Sequence, residues 1–256
     1  MANLDIVLVP LLKDNYAYLV RERASAATAI VDPSEAAPVL AAAAARGWRL
    51  THVLNTHHHP DHSGGNLELK AATGCTIVGP APDRDRIPGI DLALDDGETF
   101  DLGRARARVL FIPGHTRGHI AFWFADDTAL FCGDTLFAMG CGRMFEGTAP
   151  QMWASLDKLR RLPPETRVYC GHEYTQANAR FAVTIEPGNP ELAARAKQVD
   201  GLRAQGRPTI PSTMAEERAT NPFLRADQPA VASAVGLAGA DPAAVFAEVR
   251  KRKDNF

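Results

Sequence analysis

Thr56-His57-His58-His59-Pro60-Asp61-His62-Ser63-Gly64-Gly65 decides how this chain is read. Four of these ten residues are imidazoles and one is a carboxylate. Imidazole nitrogen and carboxylate oxygen are the donors that borderline metals such as zinc prefer. In an extended segment, residues two apart point to the same side, so His57 and His59 can grip one ion together. Asp61 and His62 are adjacent and their side chains are expected to diverge, which places them to serve a second ion beside the first. Gly64 and Gly65 let the backbone turn and close up behind the site. An affinity tag would sit at a terminus and would lack Asp61 and the strand pattern of residues 50–55.

Working upstream, Ile6–Leu12, Tyr16–Val20 and Thr28–Val31 read as three short strands, with Asp14-Asn15 supplying a turn. Asp5 precedes the first apolar run and no basic segment does, so it reads as a strand and not as a signal peptide. Ser34 is the expected N-cap of an alanine-rich helix over 36–46, which Gly47 ends. Residues 50–55 form the strand that delivers the histidines. Downstream, residues 66–73 read as a helix, 75–79 as a strand and 80–88 as a charged loop. Ala105, Ala107 and Val109 alternate with Arg104, Arg106 and Arg108, the period of a half-buried strand with a solvated arginine face. Strands over 120–124 and 128–132 flank an Asp126-Asp127 turn. Thr148 and Gln151 form a capping box, and a last strand over 167–170 ends at Gly171-His172. After that the chain turns helical, over 174–185, 190–204 and 242–252, with Asn189-Pro190 and Asp241-Pro242 as starts. This shift marks a domain boundary: residues 1–172 as a catalytic domain and 173–256 as a helical one.

The 256 residues are 46% hydrophobic, enough for one large domain or two unequal ones. Lys plus Arg number 28 against 30 Asp plus Glu, a net charge of −2, which argues against a nucleic-acid surface. No segment is long and apolar enough to span a bilayer. The four cysteines contain no Cys-x-x-Cys pair, and free thiols in a reducing cytoplasm are expected.

Candidate ligands recur at strand ends, where layered α/β folds gather functional groups. His115 can complete the His57/His59 set and His172 the Asp61/His62 set. Asp134, with two carboxylate oxygens, can bridge the two ions. His58, between two ligands, points the other way. His119 sits in a glycine-rich turn and is set aside in favour of His115. His52, inside a strand, is read as packing or surface, and Cys132 and Cys170 as small buried hydrophobes.

His57-x-His59-x-Asp61-His62 with His115, Gly133-Asp134 and Gly171-His172 resembles the metallo-β-lactamase superfamily. Residues 56–62, 141–148, 171–175, Asn221-Pro222-Phe223-Leu224-Arg225 and the terminal Arg250-x-x-Lys253-Asp254-Asn255-Phe256 resemble the glyoxalase II family, the hydroxyacylglutathione hydrolases. The resemblance covers essentially the whole chain and implies an α/β fold, an αββα sandwich followed by a small helical domain. It implies two divalent ions per chain, zinc first, with iron or manganese as alternatives. His57, His59 and His115 would hold one, Asp61, His62 and His172 the other, with Asp134 shared. It implies hydrolysis of S-D-lactoylglutathione to D-lactate and glutathione by a bridging hydroxide, with Asp61 and Asp134 as the catalytic carboxylates. Glutathione contacts fall on Arg143, Phe145, Tyr174, Arg250 and Lys253. Lysine is often found at position 143 and tyrosine at 145, so Phe145 lacks a hydroxyl. The implied enzyme is a cytoplasmic monomer acting on a small molecule, with no nucleic-acid or membrane partner. The alternatives within the fold are a persulfide dioxygenase and a lactonase; a nucleic-acid processing protein would need basic patches that this chain lacks.

Overall fold

In a computed structural model of the protein, residues 3–256 are described. The chain divides into two compact units. The first comprises the residues up to Phe111 together with Arg117–Gly133; the second comprises Ile112–Thr116 and Asp134–Phe256.

The first unit opens with the hairpin β1 (Leu4–Leu11) and β2 (Asn15–Glu22), in antiparallel register from Leu4↔Glu22 to Leu11↔Asn15. β3 (Thr28–Val31) pairs antiparallel with β2. From there the sheet is parallel: β4 (His52–Leu54), β5 (Thr76–Pro80) and β6 (Leu92–Leu94) follow in order. Parallel neighbours need crossovers, and helices supply them. α1 (Ala36–Ala44) links β3 to β4, while α2 (Pro60–Ser63) and α3 (Asn66–Thr73) link β4 to β5. Val39 and Ala43 of α1 and Leu69 of α3 pack with Leu19, Ile30, Val53 and Ile77 on one face of the sheet. Each fully buried aliphatic or aromatic side chain contributes roughly 1.5–3 kcal/mol over its exposed state.

The opposite face meets a second sheet. There β7 (Thr99–Leu102), β8 (Ala105–Phe111), β9 (Ile120–Phe124) and β10 (Ala129–Gly133) pair antiparallel in sequence. Tyr18 of β2 touches Phe131 of β10 with ring centroids 5.6 Å apart, and His52 of β4 meets Phe100 of β7 edge-on at 5.3 Å. His52 is therefore a packing residue, and burial lowers its pKa. Arg104, Arg106 and Arg108 are exposed as their alternation requires, and Arg106 pairs with Asp101 at 2.6 Å.

The second unit carries the short hairpin β11 (Leu136–Phe137) and β12 (Gly140–Cys141). α4 (Ala149–Arg160) follows, with the Thr148/Gln151 capping box formed. β13 (Arg167–Cys170) leads into α5 (Thr175–Ile185) and α6 (Pro190–Ala204). The rest is β14 (Ser212–Thr213), α7 (Met214–Thr220), α8 (Pro229–Ala234) and α9 (Pro242–Asp254). Phe181 of α5, Phe223 and Phe246 of α9 are fully buried and pack in series at 5.9 and 6.0 Å.

Two sequence expectations are corrected. Ser34 does not cap α1: the cap is Glu35, which makes no side-chain cap bond, and the Ser34 hydroxyl donates instead to the main-chain oxygen of Asp61. After His172 the described residues form one two-residue strand, β14, paired with β13 and too short to show an alternation. Residues 81–86 of the expected loop wind into a 3-10 turn.

Candidate metal centre

The parallel part of the first sheet positions the candidate ligands of the first unit. At the carboxyl end of β3, Asp32 accepts the Thr56 N–H at 2.8 Å and the Thr56 hydroxyl at 2.7 Å. Just past β4, the buried Asn55 amide donates to the His62 carbonyl at 2.8 Å. The loop carrying the histidines is thus held at both ends by side chains at strand termini, the place where open α/β sheets bind ligands. His57 Nε2 and His59 Nδ1 lie 3.1 Å apart, as their two-residue spacing requires.

Asp61 and His62 do not diverge. They sit on the single turn of α2, where successive residues rotate by about 100° and not by the 180° of a strand. Asp61 Oδ2 and His62 Nε2 are 3.7 Å apart. His62 Nδ1 bonds Asp32 Oδ2 at 3.1 Å, the carboxylate–imidazole pairing that orients metal-binding histidines. Gly64 is needed for space and not for its φ of −61°: a Cβ there would come 2.8 Å from the Ser34 oxygen and 2.6 Å from that of Pro60.

His58 turns away from its neighbours. Its Nδ1 faces Asp83 Oδ2 at 3.1 Å and its Nε2 faces Arg86 at 2.5 Å, so a fully buried carboxylate anchors it. His119 is buried, its Nδ1 donates to the Ile120 carbonyl at 3.0 Å, and its ring stacks on His57 at 4.6 Å. It supports the His57 ring.

The second unit carries candidate ligands of its own. His115 Nε2 is 3.5 Å from Asp134 Oδ2, and His172 Nε2 is 3.3 Å from the same oxygen. His115 Nδ1 donates to the Arg143 carbonyl at 2.8 Å, which fixes the tautomer with Nε2 as the lone-pair donor. Tyr174 stacks on His172 at 4.6 Å with rings nearly parallel, and Phe145 meets His115 edge-on at 5.2 Å. Gly142 is the position that a side chain would ruin: its Cβ would fall 1.9 Å from the Asp134 carbonyl oxygen and 3.0 Å from His115 Nδ1.

Donor set and spacing fit a divalent ion. Metal–donor bonds of about 2.0–2.1 Å in a tetrahedron put donor atoms roughly 3.3 Å apart. Within the two units the donor pairs span 3.1, 3.7, 3.5 and 3.3 Å.

The five positions expected to meet glutathione all lie in the second unit. Phe145 is 63% exposed, Tyr174 is partly exposed, and the Arg143 side chain is exposed within 3.7 Å of Asp254. Lys253 lies over the Phe181 ring and donates to the Ala177 carbonyl at 3.2 Å. Burial, then the Arg250 and Arg143 cations, lower its pKa. Arg250 is not an open surface cation. It is 5% exposed, donates to the Cys141 carbonyl at 2.9 Å, pairs with Asp254 at 2.9 Å and covers the Phe223 ring at 5.1 Å.

All four cysteines are buried, and none forms a disulfide. Burial pushes the Cys170 thiol up to about 12 and the Cys141 thiol up to about 11, which removes both as nucleophiles. Asp32 was the residue the sequence could have yielded, since it stands at a strand end as the histidine cluster does. Asp83, Asn15 and His119 act through contacts distant in sequence, for which no local signal exists.

Residues 12–172 match the model of the metallo-beta-lactamase superfamily, and residues 173–256 match that of the hydroxyacylglutathione hydrolase C-terminus. A hydroxyacylglutathione hydrolase of Methylococcus capsulatus is 66% identical over 253 residues, covering 99% of each chain. That of Rhodospirillum rubrum is 59% identical over 256 residues, covering 100% of each. Among solved structures, ETHE1 from Myxococcus xanthus aligns with a TM-score of 0.66 at 26% identity, over 98% of this chain and 97% of its own. A protein crystallised in a di-iron-bound form aligns with a TM-score of 0.61 at 26% identity, over 86% of this chain and 99% of its own. Sheet order, ligand-bearing strand ends and these matches agree: the chain is an αββα sandwich with a helical C-terminal part, and it belongs to the hydroxyacylglutathione hydrolase family of the metallo-β-lactamase superfamily.

Proposed function

We propose that the protein hydrolyses the thioester of S-D-lactoylglutathione, releasing D-lactate and glutathione, with two divalent metal ions per chain. The observation that carries the reading is full-length identity of 66% and 59% to proteins named hydroxyacylglutathione hydrolase, joined to imidazole and carboxylate donors at ligand spacing. His57, His59 and His115 would hold one ion, Asp61, His62 and His172 would hold the other, and Asp134 would serve both. Zinc suits the nitrogen-rich set, and iron or manganese would also be accepted. Bound there, the ions supply a water of lowered pKa and polarise the thioester carbonyl.

The chain's own residues do the rest. Asp61 and Asp134 accept hydrogen bonds from the attacking water and hold it in line. Attack by water without an acyl-enzyme is the route this reading implies, and burial raises the pKa of the Cys141 and Cys170 thiols, which disfavours them as nucleophiles. The departing glutathione thiolate is weakly basic, so no strong general acid is required. Lys253 and Arg143 meet the glutathione carboxylates, and Tyr174 flanks the thioester end. Phe145 offers only its ring, so its contact is apolar. Arg250 contributes by holding the Cys141–Arg143 segment in place. We place this chemistry in a cytoplasmic monomer; no helix among the described residues is long and apolar enough to cross a membrane.

The test is metal analysis paired with turnover of lactoylglutathione in oxygen-18 water. Two ions per chain and label in the lactate carboxylate are expected. Full activity with one ion, or a trapped acyl-enzyme, refutes the reading.

A further inference from the structure

We propose that Asn15 is the positioning residue that makes Asp61 a metal ligand, by holding the very carboxylate oxygen that faces His62. The proposal rests on the two-ion reading above. Asn15 opens β2 and is 6% exposed, fixed in the middle of a hairpin. Its Nδ2 donates to the Asp61 main-chain oxygen at 3.0 Å and to Asp61 Oδ2 at 3.1 Å. Oδ2 is also the oxygen 3.7 Å from His62 Nε2. Asn15 therefore holds the same oxygen that an ion shared with His62 would meet.

Asp61 needs such a clamp. It rides on α2, a helix of four residues, and its side chain is 40% exposed. His62 has its own clamp in Asp32, and Asn15 is the matching device for the neighbouring ligand. Partners of this kind typically change metal affinity by 10–100-fold. An amide suits the task because it donates without charge: a lysine here would compete with the cation, and an aspartate would repel Asp61.

Ser34 separates the two halves of the argument. Its hydroxyl supports only the Asp61 main-chain oxygen, not the carboxylate. The experiment titrates the metal-free protein with zinc against a competing chelator for wild type, Asn15→Ala and Ser34→Ala, alongside melting of each metal-free form. Asn15→Ala is expected to bind one of the two ions about 10–100-fold more weakly. The other ion and the metal-free melting temperature should stay near wild type, and Ser34→Ala should keep both ions. Wild-type affinity for both ions in Asn15→Ala overturns the proposal. So does an equal loss in Ser34→Ala, or a metal-free melting temperature in Asn15→Ala lowered enough to explain the loss. A wild-type titration that saturates at one ion overturns the two-ion reading itself, and the proposal with it.

Discussion

Arg250→Ala should unfold the protein early before it reports anything about substrate. Arg250 is 5% exposed, and its guanidinium fills three roles at once. It donates to the Cys141 carbonyl at 2.9 Å, lies over the Phe223 ring at 5.1 Å and pairs with Asp254 at 2.9 Å. Truncation leaves that carbonyl without its donor, at a cost of roughly 1–3 kcal/mol. The lost cation–π contact adds about 0.5–2 kcal/mol. The Asp254 pair adds at most ~1 kcal/mol, since Asp254 is 42% exposed and water screens it. The sum is about 1.5–6 kcal/mol, which for a chain of this size lowers the melting temperature by roughly 3–24 °C. Arg250→Lys keeps the charge but not the planar fork, and should fall between. The assay is thermal melting of the metal-loaded protein, with KM measured well below the transition. A melting temperature within about 2 °C of wild type together with a raised KM would refute the structural reading and return Arg250 to direct substrate contact.

Lys253→Ala should raise KM for lactoylglutathione about tenfold or more with kcat unchanged, because its charge acts far from the thioester; equal loss in both constants would contradict it. Since burial lowers the Lys253 pKa, its charge is present at low pH and lost as pH rises through that lowered value. Wild-type KM should accordingly climb on the alkaline side sooner than a free lysine would allow, as a pH–KM profile will show. Asp134→Ala should lose both ions together by elemental analysis; retention of either would argue against a shared ligand. With all four cysteines buried, a thiol reagent near pH 8 should label the native protein slowly and label four sites once it is denatured.

Much of this was legible before any coordinates. Most metal-ligand candidates stand where a local rule puts them: after a run of apolar residues, close to the end of a strand. Period and turn chemistry mark such places reliably. His57 and His59 followed from spacing alone. Asp61 and His62 did not, because the loop winds into one helical turn that a proline and four residues hardly announce. The surroundings of Arg250 are hidden for a related reason. Helical spacing places it beside Lys253, but only packing against Phe223 and Cys141 reveals that its charge is already engaged. The orienting residues Asn15, Asp32 and Asp83 reach their partners across 46, 30 and 25 positions of sequence, where no window can see them.

The β11–β12 hairpin sets a limit on modularity. Asn221 donates to the carbonyls of Phe137 and Gly140, Asn178 to that of Ala138, and Glu217 accepts the Met139 N–H. Glu217 is itself fully buried against Arg195. Every one of these partners lies beyond residue 172, although the hairpin belongs to the sequence that carries Asp134 and Arg143. A gene cut after His172, or spliced there to a foreign tail, would strip four main-chain groups of their bonds in one stroke. The two halves are therefore poor exchange units: recombination between relatives at this junction should survive only when Asn178, Glu217 and Asn221 travel with a hairpin they already fit.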